Sequence, residues 1–302
     1  MRANVISVTP PQTRAATGIL LSAKVSASSH DLLTVRIAQD GETYEAFALP
    51  SASLSEALNE PLTAHALQFV QNDSGVNAMP VLIGISVDPF ADGFTHLPET
   101  LCPVEGVVLG IKRLVADIQT LPLRQFLMRV FQRRDVFRSF WTMPASAKHH
   151  HSRPGGLAVH SLEVANDVAS HGQLSALEMD LGVAGALLHD VGKVWSYQHD
   201  MTPNAASLAM GHELIGLCKL EPELSMLETL WPDGAYAMRC LLSGHTRMRA
   251  NGSIPSSLLP RIKACDQRSC EQDLRHDKRS ATKPWAPRPW RDGGTVEDRV
   301  AF

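Results

Sequence analysis

The sequence has few cysteines and no paired ones. Cys102, Cys218, Cys240, Cys265 and Cys270 are scattered, odd in number and without a C-x-x-C spacing. That leaves neither a disulfide framework nor a thiolate zinc site, and it predicts a reducing, cytoplasmic compartment. No apolar run approaches the ~20 residues that a membrane-spanning helix needs. The opening MRANVISVTPPQTRAATG also lacks the basic-then-apolar order of a signal peptide. A soluble protein with no membrane partner is the expectation. An excess of one charge is missing too: the net charge is −3 with thirteen histidines uncounted. The whole chain is therefore no magnet for nucleic acid, and a polyanion would have to be held by a local patch. What is present is an ordinary globular balance, 44% hydrophobic and 20% charged over 302 residues, enough for one large domain or two smaller ones.

The order of patterns along the chain predicts an α+β protein in three parts. Residues 1–104 read as β-rich. Segments 18–26, 32–38 and 42–49 are β-branched or alternating, are separated by SSHD and QDGE turns, and are followed by a short helix at 53–58 and a strand at 81–87. Such an arrangement suits a small closed barrel such as an OB-fold, and pattern alone does not separate this from another small β-domain. From about Leu109 the apolar period lengthens from two to three or four, with Ile111, Leu114, Val115 and Ile118 in one stripe. A helix from Pro122 and others at 157–171, 176–190, 210–219, 222–230, 235–244 and 256–274 make residues 105–274 an all-α domain. Residues 275–302 combine Pro, Gly and charge without an apolar period and read as a disordered tail.

The chemical signal is polar residues on apolar stripes. Leu157, His160, Val164 and Val168 share a helix face, as do Leu259, Ile262, Asp266 and Cys270. The helix of LGVAGALLHDVGK is too apolar to face water, yet it ends in His189-Asp190 before Gly192. A buried carboxylate costs several kcal/mol unless it is paired or metal-bound. Any one of these residues alone would more often be a satisfied core or capping residue. Four of them, on three separated helices in the order His, His-Asp, Asp, make a divalent metal site the better explanation.

That order, with HDVGK, resembles the HD superfamily of metal-dependent phosphohydrolases. The run Pro144–Ala165 (PASAKHHHSRPGGLAVHSLEVA), with GHELIG at 211–216, LLSGH at 241–245 and ACDQRS around Asp266, is similar to two branches of it. One is the HD-domain relaxases of conjugative plasmids and integrative elements. The other is a group of bacterial 3′-to-5′ exoribonucleases that join an OB-fold to an HD domain. The resemblance implies metal ligands at His160, His189, Asp190 and Asp266, and catalytic roles for Asp190 and for Lys193, where family members hold a phosphate oxygen. It makes His212 and His245 candidates for a second metal or a phosphate, although Ser243-Gly244-His245 departs from the consecutive histidines of the exonuclease branch. His150 and His151 are candidate substrate contacts, with a polar helix-entry loop around His149 as the plain alternative. His171 and His199 read as surface residues, and Cys265 and Cys270 as small core residues. The implied protein is a nuclease or phosphodiesterase using manganese, iron or magnesium on single-stranded RNA or DNA. The alternatives are a nucleic-acid-binding conjugation module with a vestigial HD site, and an HD nucleotide phosphohydrolase. Lys24, Arg36 and the tail's basic residues around Trp285 and Trp290 are the expected phosphate and base contacts.

Overall fold

The computed structural model describes residues 12–27, 31–59, 61–71, 79–170, 172–198, 201–245 and 257–280. His171, His199 and the tail from residue 281, with Trp285 and Trp290, lie outside the described residues. The N-terminal part is a closed barrel of five strands: β1 (Gln12–Val25), β2 (Leu33–Gln39), β3 (Glu42–Ala48), β4 (His65–Gln71) and β5 (Val81–Val87). The order around the barrel is β1-β2-β3-β5-β4. All neighbours are antiparallel except β3 and β5.

Strand β1 closes the barrel because it has two partners. Its first half pairs with β4, Gln12 opposite Gln71 through Gly18 opposite His65. Its second half pairs with β2, from Ile19 opposite Ala38 to Val25 opposite Leu33. The sequence pattern predicted this strand only from residue 18, since QTRAAT carries no apolar alternation and its first four residues are exposed. Backbone pairing extends it. Strand β4 was not predicted, although HALQFVQ alternates, with His65, Leu67 and Phe69 turned inward. Asp40-Gly41, both at positive φ, join β2 to β3 as the hairpin turn that the QDGE signal implies. Helix α1 (Ala52–Asn59) runs between β3 and β4, and its Leu54 and Ala57 join the barrel core of Leu20, Val35, Ile37, Leu67 and Phe69. Five strands, closed, with the helix between the third and fourth, form a small closed barrel of the kind the sequence pattern suits.

Ten helices follow among the described residues: α2 (Val107–Asp117), α3 (Leu121–Gln132), α4 (Arg134–Ser139), α5 (Gly156–Ala169), α6 (Ala176–Leu188), α7 (Lys193–Ser196), α8 (Ala205–Lys219), α9 (Glu221–Leu230), α10 (Pro232–Leu242) and α11 (Leu258–Ser280). Helices α4 and α7 are too short for a period and were not predicted. Helix α11 continues six residues past its expected end, so residues 275–280 are helix and not tail. The Glu271–Arg275 pair at i, i+4 spans that point. None of the helices is long and apolar enough to cross a membrane.

One apolar core joins the two parts: Ile19 and Ala38 of the barrel pack with Phe94, Leu97, Phe131, Phe140 and Trp141. Arg134 ties them polarly, donating to the carbonyls of Leu21 (3.2 Å) and Ala57 (2.7 Å). Asp180 on α6 is buried and accepts from the Thr120 N–H (2.8 Å), the Thr120 hydroxyl (2.6 Å) and the Gln119 N–H (3.3 Å), capping α3. It is a buried carboxylate with a purely structural explanation, so burial alone does not mark a ligand here.

Candidate metal centre

Three helical elements bring the predicted residues together. His160 lies mid-way along α5, whose face of Leu157, Val164 and Val168 is fully buried. His189 and Asp190 lie in the turn after α6 and not within the helix, because α6 stops at Leu188. Asp266 projects from α11. His160 Nε2 is 3.0 Å from Asp266 Oδ1 and 3.7 Å from Asp190 Oδ2; His189 Nε2 is 3.9 Å and 3.5 Å from the same two oxygens. Donors about 2.1 Å from one ion, at angles near 90–109°, stand roughly 3.0–3.4 Å from each other; the 3.0 Å and 3.5 Å separations are close to this spacing, and the 3.7 Å and 3.9 Å ones are wider and would have to close around a cation.

The test of fit lies in the nitrogens. Both Nε2 atoms are buried and neither has a hydrogen-bond partner in good geometry, although His160 Nε2 lies at hydrogen-bonding distance, 3.0 Å, from Asp266 Oδ1. His189 Nδ1 is 2.8 Å from the Ala186 carbonyl, which can only accept, so the proton sits on Nδ1 and Nε2 presents its lone pair. Burying such an atom without a partner costs about 1–3 kcal/mol, a cost that ligation removes. His160, His189 and Asp190 each offer a ligand atom within 4.8 Å of the others. The residues present fit a divalent cation.

Asp190 is the hub. It is 5% exposed, and its Oδ2 lies 2.7 Å from Lys193 Nζ while Oδ1 lies 2.9 Å from His212 Nε2. Burial pushes its carboxyl up, but Lys193, His189 and His212 outweigh burial and hold it well below the usual carboxylate range. Lys193, also buried, is raised: the loss of solvation is outweighed by Asp190. Its ammonium donates to Asp190 and to the Ala145 carbonyl at 2.8 Å, which leaves one of three N–H groups for another partner. His212 reaches Asp190 because α8 breaks at Gly211 (φ 78°), a left-handed conformation that suits glycine. Gly192 lets the backbone of His212 approach so closely that a Cβ there would stand 1.8 Å from the His212 carbonyl oxygen.

The remaining histidines divide. His150 is half-buried on the wall of a cleft of about 530 Å³ shared with Asp190, Lys193, His212, His245 and Asp266. Burial first, then the charge of His160 and Lys193, push its imidazole down to about 4. His245 lines the same cleft but is exposed, with Nδ1 2.6 Å from the Ser243 carbonyl. His151 is not a cleft residue: it is 0% exposed and set among Glu163, Ser269 and Asp273 behind His160. Its backbone at φ 47° turns the ring inward.

Cys270 also departs from expectation. It lines the cleft one turn beyond Asp266, and with His150 and His160 it offers ligand atoms within 4.8 Å of one another. Burial, then Asp266, push the Cys270 thiol up to about 12, so at neutral pH it is a thiol. Glu163, Ser269 and Asp273 were missed altogether. Ser269 and Asp273 follow Asp266 at i+3 and i+7, the same face of α11, and that repeat was the legible signal.

A protein-family model described as HD domain matches residues 157–262. The stretch begins three residues before His160, contains His189, Asp190, Lys193, His212 and His245, and ends four residues before Asp266. The match lies within the helical part and supports the HD superfamily there, and with it a metal-dependent phosphohydrolase in general. No curated protein matches the chain.

Proposed function

We propose that the protein is a phosphodiesterase that cleaves single-stranded nucleic acid in the cleft beside His160, His189, Asp190 and Asp266. The observation that carries this reading is the pair of buried Nε2 atoms turned toward two carboxylates at the floor of a cleft lined also by Lys193, His150 and His212. Those four residues would hold a divalent cation, manganese, iron or magnesium. When bound, it would polarise a phosphate oxygen and make a water easier to deprotonate. Asp190 orients the attacking water, and Lys193 keeps Asp190 ionised while offering its third N–H to a phosphate oxygen. His150, neutral at pH 7, hydrogen-bonds the substrate from the opposite wall. His212 serves Asp190 and, with His245, is available to a second cation or a phosphate.

A strand is favoured over a free nucleotide because an OB-type barrel is packed against the helical part, a fold that suits oligonucleotides. A cavity of about 560 Å³ between the two is lined by Arg36 and Arg138, the hydroxyls of Ser22, Thr100 and Thr142, and no carboxylate. Neither arginine has an ion pair among the described residues. The other barrel cleft, beside Tyr44, sets Asp40, Glu42 and Glu45 against Arg14 and is a poor seat for a polyanion. Lys24 faces Glu45 at 3.6 Å and is a weaker phosphate contact than Arg36. The test is incubation of manganese-loaded protein with end-labelled RNA, single-stranded DNA, duplex DNA and nucleoside monophosphates at low salt. Cleavage of a single strand is the expected result. Hydrolysis of monophosphates with every oligonucleotide untouched would overturn the nuclease reading, and no hydrolysis at all would favour a binding module.

A further inference from the structure

Behind His160, on the side away from the cleft, lies a buried polar group that the reaction does not touch. Ser269 Oγ is 2.7 Å from Glu163 Oε2, 3.0 Å from His160 Nδ1 and 3.2 Å from His151 Nε2. His151 Nε2 is also 3.1 Å from Glu163 Oε2. The protons can be assigned by elimination. A carboxylate only accepts, so the Ser269 hydroxyl donates to Glu163. Its lone pairs then face the two imidazoles, and both must donate: His160 through Nδ1–H and His151 through Nε2–H. His160 therefore carries its lone pair on Nε2, the atom 3.0 Å from Asp266 Oδ1.

His151 is itself held firmly. Its N–H donates to Asp273 Oδ2, its carbonyl accepts from the Ala145 N–H (3.0 Å), and Asp273 Oδ1 takes Arg153 Nη1 (2.9 Å). A non-glycine residue at φ 47° is uncommon and persists where its surroundings enforce it. Here it turns the imidazole onto Ser269 and Glu163. Glu163 stands one turn after His160 on α5, and Ser269 one turn after Asp266 on α11, so each ligand-bearing helix supplies half of the clamp.

We infer that Ser269, gripped by Glu163 and His151, is the positioning residue that fixes the tautomer and ring orientation of His160 for metal binding. The inference rests on the proposed metal centre, yet it makes a separate statement about the metal-free protein. His189 needs no such device, because the Ala186 carbonyl does the same work on its Nδ1.

The experiment is nitrogen-15 NMR of the histidine side chains in metal-free protein, together with titration of cobalt(II) into wild type, Ser269→Ala, Ser269→Thr and Glu163→Ala. Wild type is expected to show His160 protonated on Nδ1. Ser269→Ala should mix the tautomers and weaken cobalt binding by about 10–100-fold, the usual effect of losing a partner behind a ligand. Ser269→Thr, which keeps the hydroxyl, should restore both readouts, which a merely space-filling serine would not predict. An unchanged His160 tautomer and unchanged cobalt affinity in Ser269→Ala would overturn the proposal. Should that variant fail to fold, the same two readouts in Glu163→Ala, which removes the acceptor of the Ser269 hydroxyl at a half-exposed position, decide it by the same criterion. If the tautomer shifts in Ser269→Ala while wild type binds no cobalt, the positioning role stands and the metal centre fails.

Discussion

His160 and His189 look equivalent in a motif but are prepared for ligation by different means, a serine hydroxyl in one case and a backbone carbonyl in the other. Substitution can reach the first and not the second. Asp266 contributes its oxygen from a half-exposed position on α11, so Asp266→Ala should fold. Because a ligand that binds only the folded state stabilises it, wild-type protein should melt lower when a chelator is added, and Asp266→Ala should lose that sensitivity. Melting curves in manganese with and without chelator check this, and an unshifted wild-type curve in protein shown to contain metal would count against a tightly coupled site. A pH effect follows from His150, whose imidazole is pushed by burial, His160 and Lys193 from 6.5 to about 4. A base with a depressed folded pKa takes up protons in the unfolded chain first. Metal-free protein should therefore lose stability as pH falls from about 6.5 toward 4, and His150→Gln should flatten that slope in denaturant titrations across the window.

Among elements, the turn between α6 and α7 and the broken helix α8 act as one unit. Gly192 and the His212 carbonyl share a contact too close for any side chain, and it sets His212 on Asp190. Gly192→Ala should push α8 away, separate that pair and reduce hydrolysis by at least tenfold, with Lys193 and the four ligand side chains unaltered chemically. Measured kcat and KM for this variant beside His212→Ala would show the same defect if the contact matters through His212. The cap on α3 is the contrasting case. Asp180, itself buried, accepts three hydrogen bonds at the start of α3; losing such a cap costs about 2 kcal/mol. Asp180→Ala should lower the melting temperature by several degrees and leave cobalt affinity unchanged.

At the scale of the whole molecule, barrel and helices share one apolar core and the Arg134 tie, and the arginine-lined cavity lies between them. If a single strand is seated there as proposed, Arg36 and Arg138 neutralise its phosphates, so binding should fall with salt at a slope of about −0.7 per contact. Arg36→Ala should flatten the slope by about that amount, and a truncation after Ser280 should flatten it further if the basic residues of 281–302 take part. Fluorescence anisotropy with labelled oligonucleotides over a salt series measures both. An Arg36→Ala slope equal to wild type would remove the cavity from the binding path.

The four candidate ligands were legible as candidates, because a histidine or carboxylate on an apolar stripe is a local anomaly, although Asp266, expected to point into the core, is half-exposed. The positions His160 and Asp266 stand out against Leu157, Val164, Leu259 and Ile262 without knowledge of any other helix. The change from a period of two to a longer one likewise marked where barrel gives way to helices. A closed barrel suited the pattern, but the pairing of β1 with β4 that closes it was not legible, since the first half of β1 carries no apolar alternation. Nor was the division of the three consecutive histidines: His150 faces the cleft and His151 the interior because of one left-handed residue and an acceptor, Asp273, 122 positions away. Ligand candidates are a property of helical periodicity, which acts over a few residues. The hydrogen bonds that aim each ligand come from other helices, and only packing α5 against α11 and α8 against the turn after α6 decides them.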